Sequence, residues 1–204
     1  MKNRSFDAVL NFWFGSLDEG FADDAHRRLW FNGGAEMDLE VRDRFQHLSV
    51  AAEDGSLSPW LEQINGSLAF ILVCDQFPRN IFRGERAAFA YDGLALEAAR
   101  NGVESGLDLE LGYDERAFFY MPFEHSERLT DQKAAVDLFT RLRDESPPAR
   151  QNLTGNNLRH AQQHRDIIAR FGRFPHRNVV LGRDSSDEEL AFIAGGAGFG
   201  QQPR

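Results

Sequence analysis

The stretch SLAFILVCDQF, residues 67–77, carries apolar side chains on every side of a helix drawn through it. A helix that is apolar all round lies buried in a protein core. Pro78 follows directly, and because proline lacks an N–H and clashes with the preceding turn, we expect it to end the helix. The sequence therefore predicts one central buried helix around which the rest of the chain packs.

The segments around this stretch also show the spacing of amphipathic helices. Residues 6–14 place apolar side chains at the i, i+3, i+4 and i+7 positions, and Gly15 follows as a helix stop. Further helices are predicted at about 37–52, 92–103, 114–120, 129–143, 156–171 and 186–193. No segment alternates apolar and polar residues at a period of two, as a half-buried strand does. The predicted fold is all-α, without a significant sheet.

Length and composition favour a single domain. The 204 residues suffice for one core, and 18 Phe with 3 Trp supply large side chains to fill it. We therefore expect one helical domain over residues 1–204, in which the Gly-rich residues from about 194 to 204 form a flexible tail.

Charge and hydropathy exclude several classes of partner. A formal net charge of -9 disfavours binding to nucleic acid or anionic lipid, because such binding depends on basic side chains that neutralise phosphates. The longest apolar run is far shorter than the roughly 20 residues of a membrane-spanning helix, and residues 1–7 lack the apolar core of a signal peptide. The single cysteine, Cys74, excludes an internal disulfide. We expect a cytoplasmic protein that binds neither nucleic acid nor membranes.

Two remote segments share one pattern of residues. DQFPRNIFRG, residues 75–84, and RFPHRNVVLGR, residues 173–183, both contain Phe-Pro, then Arg-Asn, then Gly beside Arg. The second lies in a stretch, 149–183, with seven arginines and one acid, and a guanidinium can form two parallel bonds to a carboxylate or phosphate. We predict that both segments lie side by side and line one anion-binding pocket. The predicted ligand-binding residues in them are Asp75, Arg79, Asn80, Arg83, Arg173, His176, Arg177, Asn178 and Arg183.

Two interpretations of these segments remain open. Asp75 lies at the C-terminal end of a predicted apolar helix, where the helix macrodipole disfavours negative charge, so it needs a cationic partner. The resulting ion pair could be a structural link between two helix ends. Alternatively, Asp75 orients an arginine that grips a ligand.

MPFEHSE, residues 121–127, is the candidate segment for proton transfer. Glu124 and His125 are the candidate catalytic residues, since histidine titrates near neutral pH and a carboxyl group can act as acid or base. Glu127 would contact the ligand if the segment faces the pocket. The alternative is a hydrogen-bonded helix start with no chemical role.

His160 and His164 lie one helical turn apart, a spacing that can begin a metal site. The residues between them do not form the HExxH motif, and His164 falls on the apolar stripe of its helix, which favours a histidine hydrogen-bonded inside the core. We therefore predict neither a metal nor another cofactor, and we keep His164 as a candidate ligand-binding residue.

Three long segments resemble the signatures of the bacterial family called domain of unknown function 924: LVCDQFPRNIFRG, YMPFEHSE and HRDIIARFGRFPHRNVVLGRDSSDEE. VLNFWFG near the N-terminus and GSLSPW in the middle extend the resemblance over nearly the whole chain. At Val73, Cys74 and Met121 the resemblance leads us to expect leucine. These differences exchange one apolar residue for another, so the pattern of polar residues is unchanged. The resemblance implies an all-helical fold akin to tetratricopeptide repeat proteins, with antiparallel helix pairs stacked into a superhelix. It implies no activity, substrate or catalytic residue.

The residues predict binding of a small anionic metabolite or a peptide carboxylate in a pocket of arginine, histidine and aromatic side chains. An enzyme that uses Glu124 or His125 as acid or base on an arginine-held substrate is the first alternative. A protein-interaction scaffold with a broad apolar groove is the second. The sequence leaves the oligomeric state open.

Overall fold

The computed structural model of the protein describes residues 5–32 and 34–196, except for the side chains of residues 31 and 32. Its helices are α1 Phe6–Phe14, α2 Asp24–Asn32, α3 Gly34–Glu53, α4 Ile64–Ile71, α5 Phe77–Ile81, α6 Asp92–Glu104, α7 Tyr113–His125, α8 Leu129–Glu145, α9 Gln151–Phe171, α10 Asn178–Leu181 and α11 Asp187–Ala194. Within the described ranges, extended pairing is limited to one isolated bridge between Asp18 and Phe21. The predicted all-α class is confirmed.

The central helix predicted from residues 67–77 is present and buried, but it does not end at Pro78. Instead, α4 continues into a π-helical turn, Leu72–Gln76, and then into α5. The N–H of Phe77 bonds to the carbonyl of Leu72, one residue further back than in an α-helix. Pro78, which has no N–H to donate, follows the point at which the hydrogen-bond pattern has already changed. The prediction of a stop was wrong because an apolar pattern does not reveal a local change of pitch.

The other helices pack around this central helix. Both α1 and α6 contact α4, α3 contacts α5, and α7 contacts the π-helical turn. Farther along the chain, α7, α8 and α9 pack as successive neighbours. The main core takes in the whole of 68–74, whereas a smaller cluster of Ile167, Ile168 and Phe174 packs against Phe192 of α11. The stacking of helix pairs into a superhelix, which the resemblance implies, stays a prediction.

The C-terminal helix extends through residue 194, the residue at about which the flexible tail was predicted to begin. Gly195 and Gly196 form a turn, and the rest of the predicted tail, 197–204, lies outside the described residues. No helix in the described part of the chain combines the length and apolar character that a membrane crossing needs.

Candidate functional site

Asp75 lies in the π-helical turn and is completely buried. Its carboxylate is surrounded by donors: Nδ1 of His125 lies 2.7 Å from Oδ1 and 3.0 Å from Oδ2, Nη1 of Arg79 lies 3.1 Å away, and Nε2 of Gln76 donates to Oδ2 at 2.6 Å. Burial alone would raise the pKa of Asp75, but the charge of Arg79 and the contact with His125 hold the pKa well below its usual range. Asp75 is therefore an ionised carboxylate inside the core.

Arg79 links this buried carboxylate to the start of α6. Its guanidinium binds both oxygens of Asp92, at 2.8 and 3.0 Å, and donates to the backbone carbonyl of Asp75 at 2.6 Å. Nη1 of Arg177 lies 3.6 Å from the same Asp92 carboxylate. Arg79 and Arg177 also both face the ring of Phe89, at 5.5 and 4.7 Å from its centroid. The two Phe-Pro segments therefore meet at Asp92 and Phe89.

Arg177 is buried to 6% exposure, yet its guanidinium makes no hydrogen bond within residues 5–32 and 34–196, and its Nε is fully enclosed. Its central carbon lies 4.7 Å from the centroid of Phe89 and 4.4 Å from that of Phe174, so two aromatic rings contact it. Burial, and then the charge of Arg79, lower its pKa to about 10. Arg177 is thus a desolvated cation whose hydrogen-bonding capacity the described residues leave unused.

A second carboxylate and imidazole pair lies beside the first. Oε1 of Glu124 is 2.9 Å from Nδ1 of His164, which is also 2.9 Å from the carbonyl of His160. The rings of His125 and His164 have centroids 6.3 Å apart, and the ring of Phe174 lies 5.4 Å from that of His164. Helices α7 and α9 thereby bring both predicted histidines next to the Arg177 segment.

The electrostatics of these two pairs are set by burial and by their partners. Burial and the charge of Arg79 lower the pKa of His125, against the opposing effect of Asp75. For Glu124, burial raises the pKa, but the charge of His164 and its hydrogen bond outweigh this and lower it. His125 is accordingly a neutral imidazole near neutral pH, and Glu124 is ionised.

Glu127 holds the second Phe-Pro segment against the end of α7. Its carboxylate accepts two bonds from Arg183, at 2.7 and 3.0 Å, and one from the backbone N–H of Phe174 at 2.8 Å. Arg183 also donates to the carbonyl of Phe174 at 3.1 Å. Burial raises the pKa of Glu127, but these bonds outweigh it and lower the pKa. This cluster fixes the position from which Arg177 projects.

Asn80 and Arg83 both contact Asp38 of α3. Asn80 donates to Asp38 at 2.8 Å, and Arg83 binds the same carboxylate at 2.9 and 3.0 Å. Both side chains therefore join the ends of α3 and α5, which is the structural alternative that the sequence left open.

Arg173 and Asn178 are likewise engaged, with residues that follow the second segment in the chain. Arg173 binds Glu189 of α11 at 2.7 and 2.9 Å, and Asn178 donates to Ser185 at 3.0 Å. Arg173 thereby attaches α11 to the segment, and Asn178 holds the residues that precede α11.

His176 does join that group, with its ring 5.4 Å from that of Phe174. Burial, followed by the charge of Arg177, lowers its pKa to about 3. Phe89 and Asp92 also belong to the site, although the sequence assigned them no role. Asp92 was visible only as the first residue of a predicted helix, where acids are common.

A metal centre is not indicated by the geometry, since the described residues contain no group of three His, Cys, Asp or Glu side chains arranged to hold an ion.

Cys74 is completely buried next to Asp75, and burial raises the pKa of its thiol. A shallow recess between α9 and α11, at Ile167, Phe171 and Phe192, has a lining that does not include Arg79 or Arg177.

Comparisons with known proteins place the chain in a family without assigning it an activity. The family described as bacterial protein of unknown function (DUF924) matches residues 9–197. A solved structure of a protein of unknown function from Agrobacterium tumefaciens is 38% identical, covers 94% of this chain and 97% of its own, and superposes with a TM-score of 0.79. No curated protein matches the sequence. Because the family match spans nearly all of the chain, the protein belongs to the DUF924 family.

Proposed function

We propose that the protein binds a small anionic molecule, either a metabolite or the end of a peptide, and that Arg177 binds the carboxylate group of this ligand. The observation that carries this proposal is the state of Arg177: a guanidinium at 6% exposure without a hydrogen bond in the described part of the chain. A buried cation is costly unless it is paired and hydrogen-bonded, so a ligand that supplies both acceptors would be held strongly.

The surroundings of Arg177 define the approach of the ligand. Phe89 and Phe174 both contact the guanidinium, and because its N–H bonds lie in the plane of the group, an acceptor is expected to arrive in that plane. A carboxylate is planar and accepts two parallel bonds from such an edge. Arg79 and Arg177 together face two carboxylates, Asp75 and Asp92, so their formal charges balance and a singly charged ligand adds less uncompensated charge than a doubly charged one. These features favour a monoanionic carboxylate over a dianionic phosphate.

The rim of the site is polar and partly open. The side chains of His125, Asp92 and Glu127 are 16%, 24% and 28% exposed, and these partly exposed groups mark the side from which a ligand would approach. The cytoplasmic location suggested by composition, where small carboxylates are abundant, is part of the same proposal.

Calorimetry and thermal unfolding of the full chain with acetate, N-acetylglycine, monomethyl glutarate and inorganic phosphate test this function. At 100 times its dissociation constant, a ligand adds about 2.7 kcal/mol to the free energy of unfolding. We expect stabilisation by at least one carboxylate and a weaker effect of phosphate. Arg177→Lys should weaken binding because it removes the planar fork while keeping the charge.

Arg159→Gln is the matched control, since Arg159 is an exposed arginine of α9 that donates to Asn156. It should bind the carboxylates as the wild type does. Equal affinity of Arg177→Lys, Arg177→Gln and the wild type would refute the proposal, and so would the absence of any carboxylate-dependent stabilisation in the folded wild-type protein.

A further inference from the structure

We propose that the site is catalytic: His125 is a general base that activates water against an ester carbonyl of the carboxylate-bearing molecule held by Arg177. The inference rests on the proposed binding function and adds a substrate class, small esters that carry a free carboxylate. It starts from the contact between His125 and the buried carboxylate of Asp75.

The geometry of the Asp75 and His125 pair determines which nitrogen of the imidazole carries the proton. Both oxygens of the ionised Asp75 lie within 3.0 Å of Nδ1, so Nδ1 must carry the proton and donate it. Nε2 is then the nitrogen that can accept a proton. Arg79 and Gln76 hold the carboxylate in turn, which makes the imidazole a positioned base.

The backbone that carries Asp75 is unusual in the same place. The π-helical turn Leu72–Gln76 interrupts an otherwise α-helical core element, and such single turns occur frequently at functional sites. The turn changes the direction in which Asp75 leaves the helix relative to regular α pitch. A purely structural core helix would gain more from uninterrupted hydrogen bonds.

His125 and Arg177 are connected through shared neighbours on two sides. His125 neighbours His164 with 6.3 Å between centroids, His164 neighbours Phe174 at 5.4 Å, and Arg177 lies over Phe174 at 4.4 Å. On the other side, Arg79 contacts Asp75 at 3.1 Å and shares Asp92 with Arg177. The proton acceptor and the anion-binding group are therefore parts of one contiguous cluster.

Water is the nucleophile that this cluster favours. Cys74 is buried, and burial raises the pKa of its thiol, which opposes formation of the reactive thiolate. The hydroxyl of Ser126 donates to Asp131 at 2.6 Å. Neither side chain is thus prepared for attack, whereas a neutral imidazole takes protons readily from oxygen.

The reaction balances with water as its second reactant. A water O–H bond breaks, its proton moves to Nε2 of His125, and the oxygen forms a bond to the ester carbonyl carbon. The bond from that carbon to the alcohol oxygen then breaks, its electron pair stays on the leaving oxygen, and Nε2 returns the proton to it. The products are an acid and an alcohol, and His125 ends as it began.

The test is hydrolysis of mono-p-nitrophenyl glutarate by the full chain, with neutral p-nitrophenyl acetate for comparison. We expect the anionic ester to be preferred and the rate to rise with pH to a plateau, with an inflection below the ordinary histidine value of about 6.5, because the pKa of His125 is lowered. His125→Gln should lower kcat by about 10²–10⁴-fold while leaving KM nearly unchanged. Arg177→Lys should raise KM for the anionic ester alone.

His160→Gln, the same change at an exposed histidine of α9, is the control and should match the wild type. A folded His125→Gln variant, verified by circular dichroism, that hydrolyses the ester at the wild-type rate would overturn the inference, as would a wild-type rate no higher than that of buffer. If monomethyl glutarate still binds through Arg177 while the ester stays intact, only the catalytic inference fails. If it does not bind either, both proposals fail.

Discussion

Nδ1 of His125 lies 2.7 Å from Oδ1 of Asp75, fifty residues earlier in the chain. This contact joins the C-terminal end of α7 to the π-helical turn of the central helix, and it is made inside the core. The same pair therefore contributes to the stability of the fold and to the candidate site, so substitutions in it must be judged by stability and by binding separately.

Asp75→Asn should destabilise the protein strongly. The change keeps the volume but removes the charge that offsets Arg79, and loss of one partner from a buried ion pair costs about 3–5 kcal/mol. Urea unfolding followed by circular dichroism measures the loss. Glu40→Gln serves as the comparison, because Glu40 and Arg44 are 50% and 44% exposed and such pairs contribute only about 0.3–0.5 kcal/mol. Equal losses in the two variants would contradict a buried ionised Asp75.

The stability of the protein should fall as the pH is lowered from about 6.5. The pKa of His176 is lowered to about 3, so between these values the unfolded chain binds a proton that the folded chain excludes. One such proton gives a slope of about 1.4 kcal/mol per pH unit, and the lowered pKa of His125 adds to it in the same direction. Unfolding free energies at pH 7, 6 and 5 measure this slope.

His176→Gln removes one of these groups and should flatten the slope between pH 6 and 5. The carboxylates with lowered pKa values, such as Glu127, lose their contribution only below the ordinary carboxyl value of about 4.3, so they do not obscure this window. A wild-type stability that is constant from pH 7 to 5 would show that the imidazoles are not held neutral.

Gly66→Ala should destabilise the packing of the central helix. A Cβ at this position would lie 2.1 Å from the carbonyl oxygen of Trp60, which is backbone and cannot move aside cheaply. Overpacking of this kind typically costs about 1–3 kcal/mol. Gly155→Ala is the opposite case, because a Cβ added at this position of α9 would meet no neighbouring side chain within 4 Å, and alanine should stabilise that helix by about 0.5–1 kcal/mol. Thermal unfolding of both variants measures the difference, and a neutral Gly66→Ala would contradict the close packing against Trp60.

The helical class was predictable because the apolar spacing of most elements is unambiguous. Residues 6–14 form the predicted helix with the predicted limits, and the stretch 67–77 is buried as its all-round apolar character required. Pro78 misled the prediction because the hydrogen-bond pattern changes to a π-helical turn before it, and the chain then continues as α5. That turn depends on three-dimensional context and leaves no pattern in the sequence.

The candidate site was predictable only in part. The sequence showed several arginines in two similar segments, but it could not show which of them would find an acid. Arg83 pairs with Asp38 of α3, and Arg173 pairs with Glu189 of α11. Arg177, by contrast, makes only a long contact with Asp92. Pairing of charges is decided by tertiary packing, which the local pattern of residues does not contain.

Glu127→Gln should loosen the segment that carries Arg177 before it affects the main core. Glu127 receives Arg183 and the N–H of Phe174, and the small cluster around Ile168 and Phe174 is separate from the main one. Regions with few buried apolar contacts open locally at lower free energy than the whole domain. Amide hydrogen exchange should therefore quicken across residues 174–194 while residues 68–74 stay protected. Since the same segment positions Arg177, carboxylate affinity should fall in parallel, and faster exchange with unchanged affinity would separate Arg177 from the binding site.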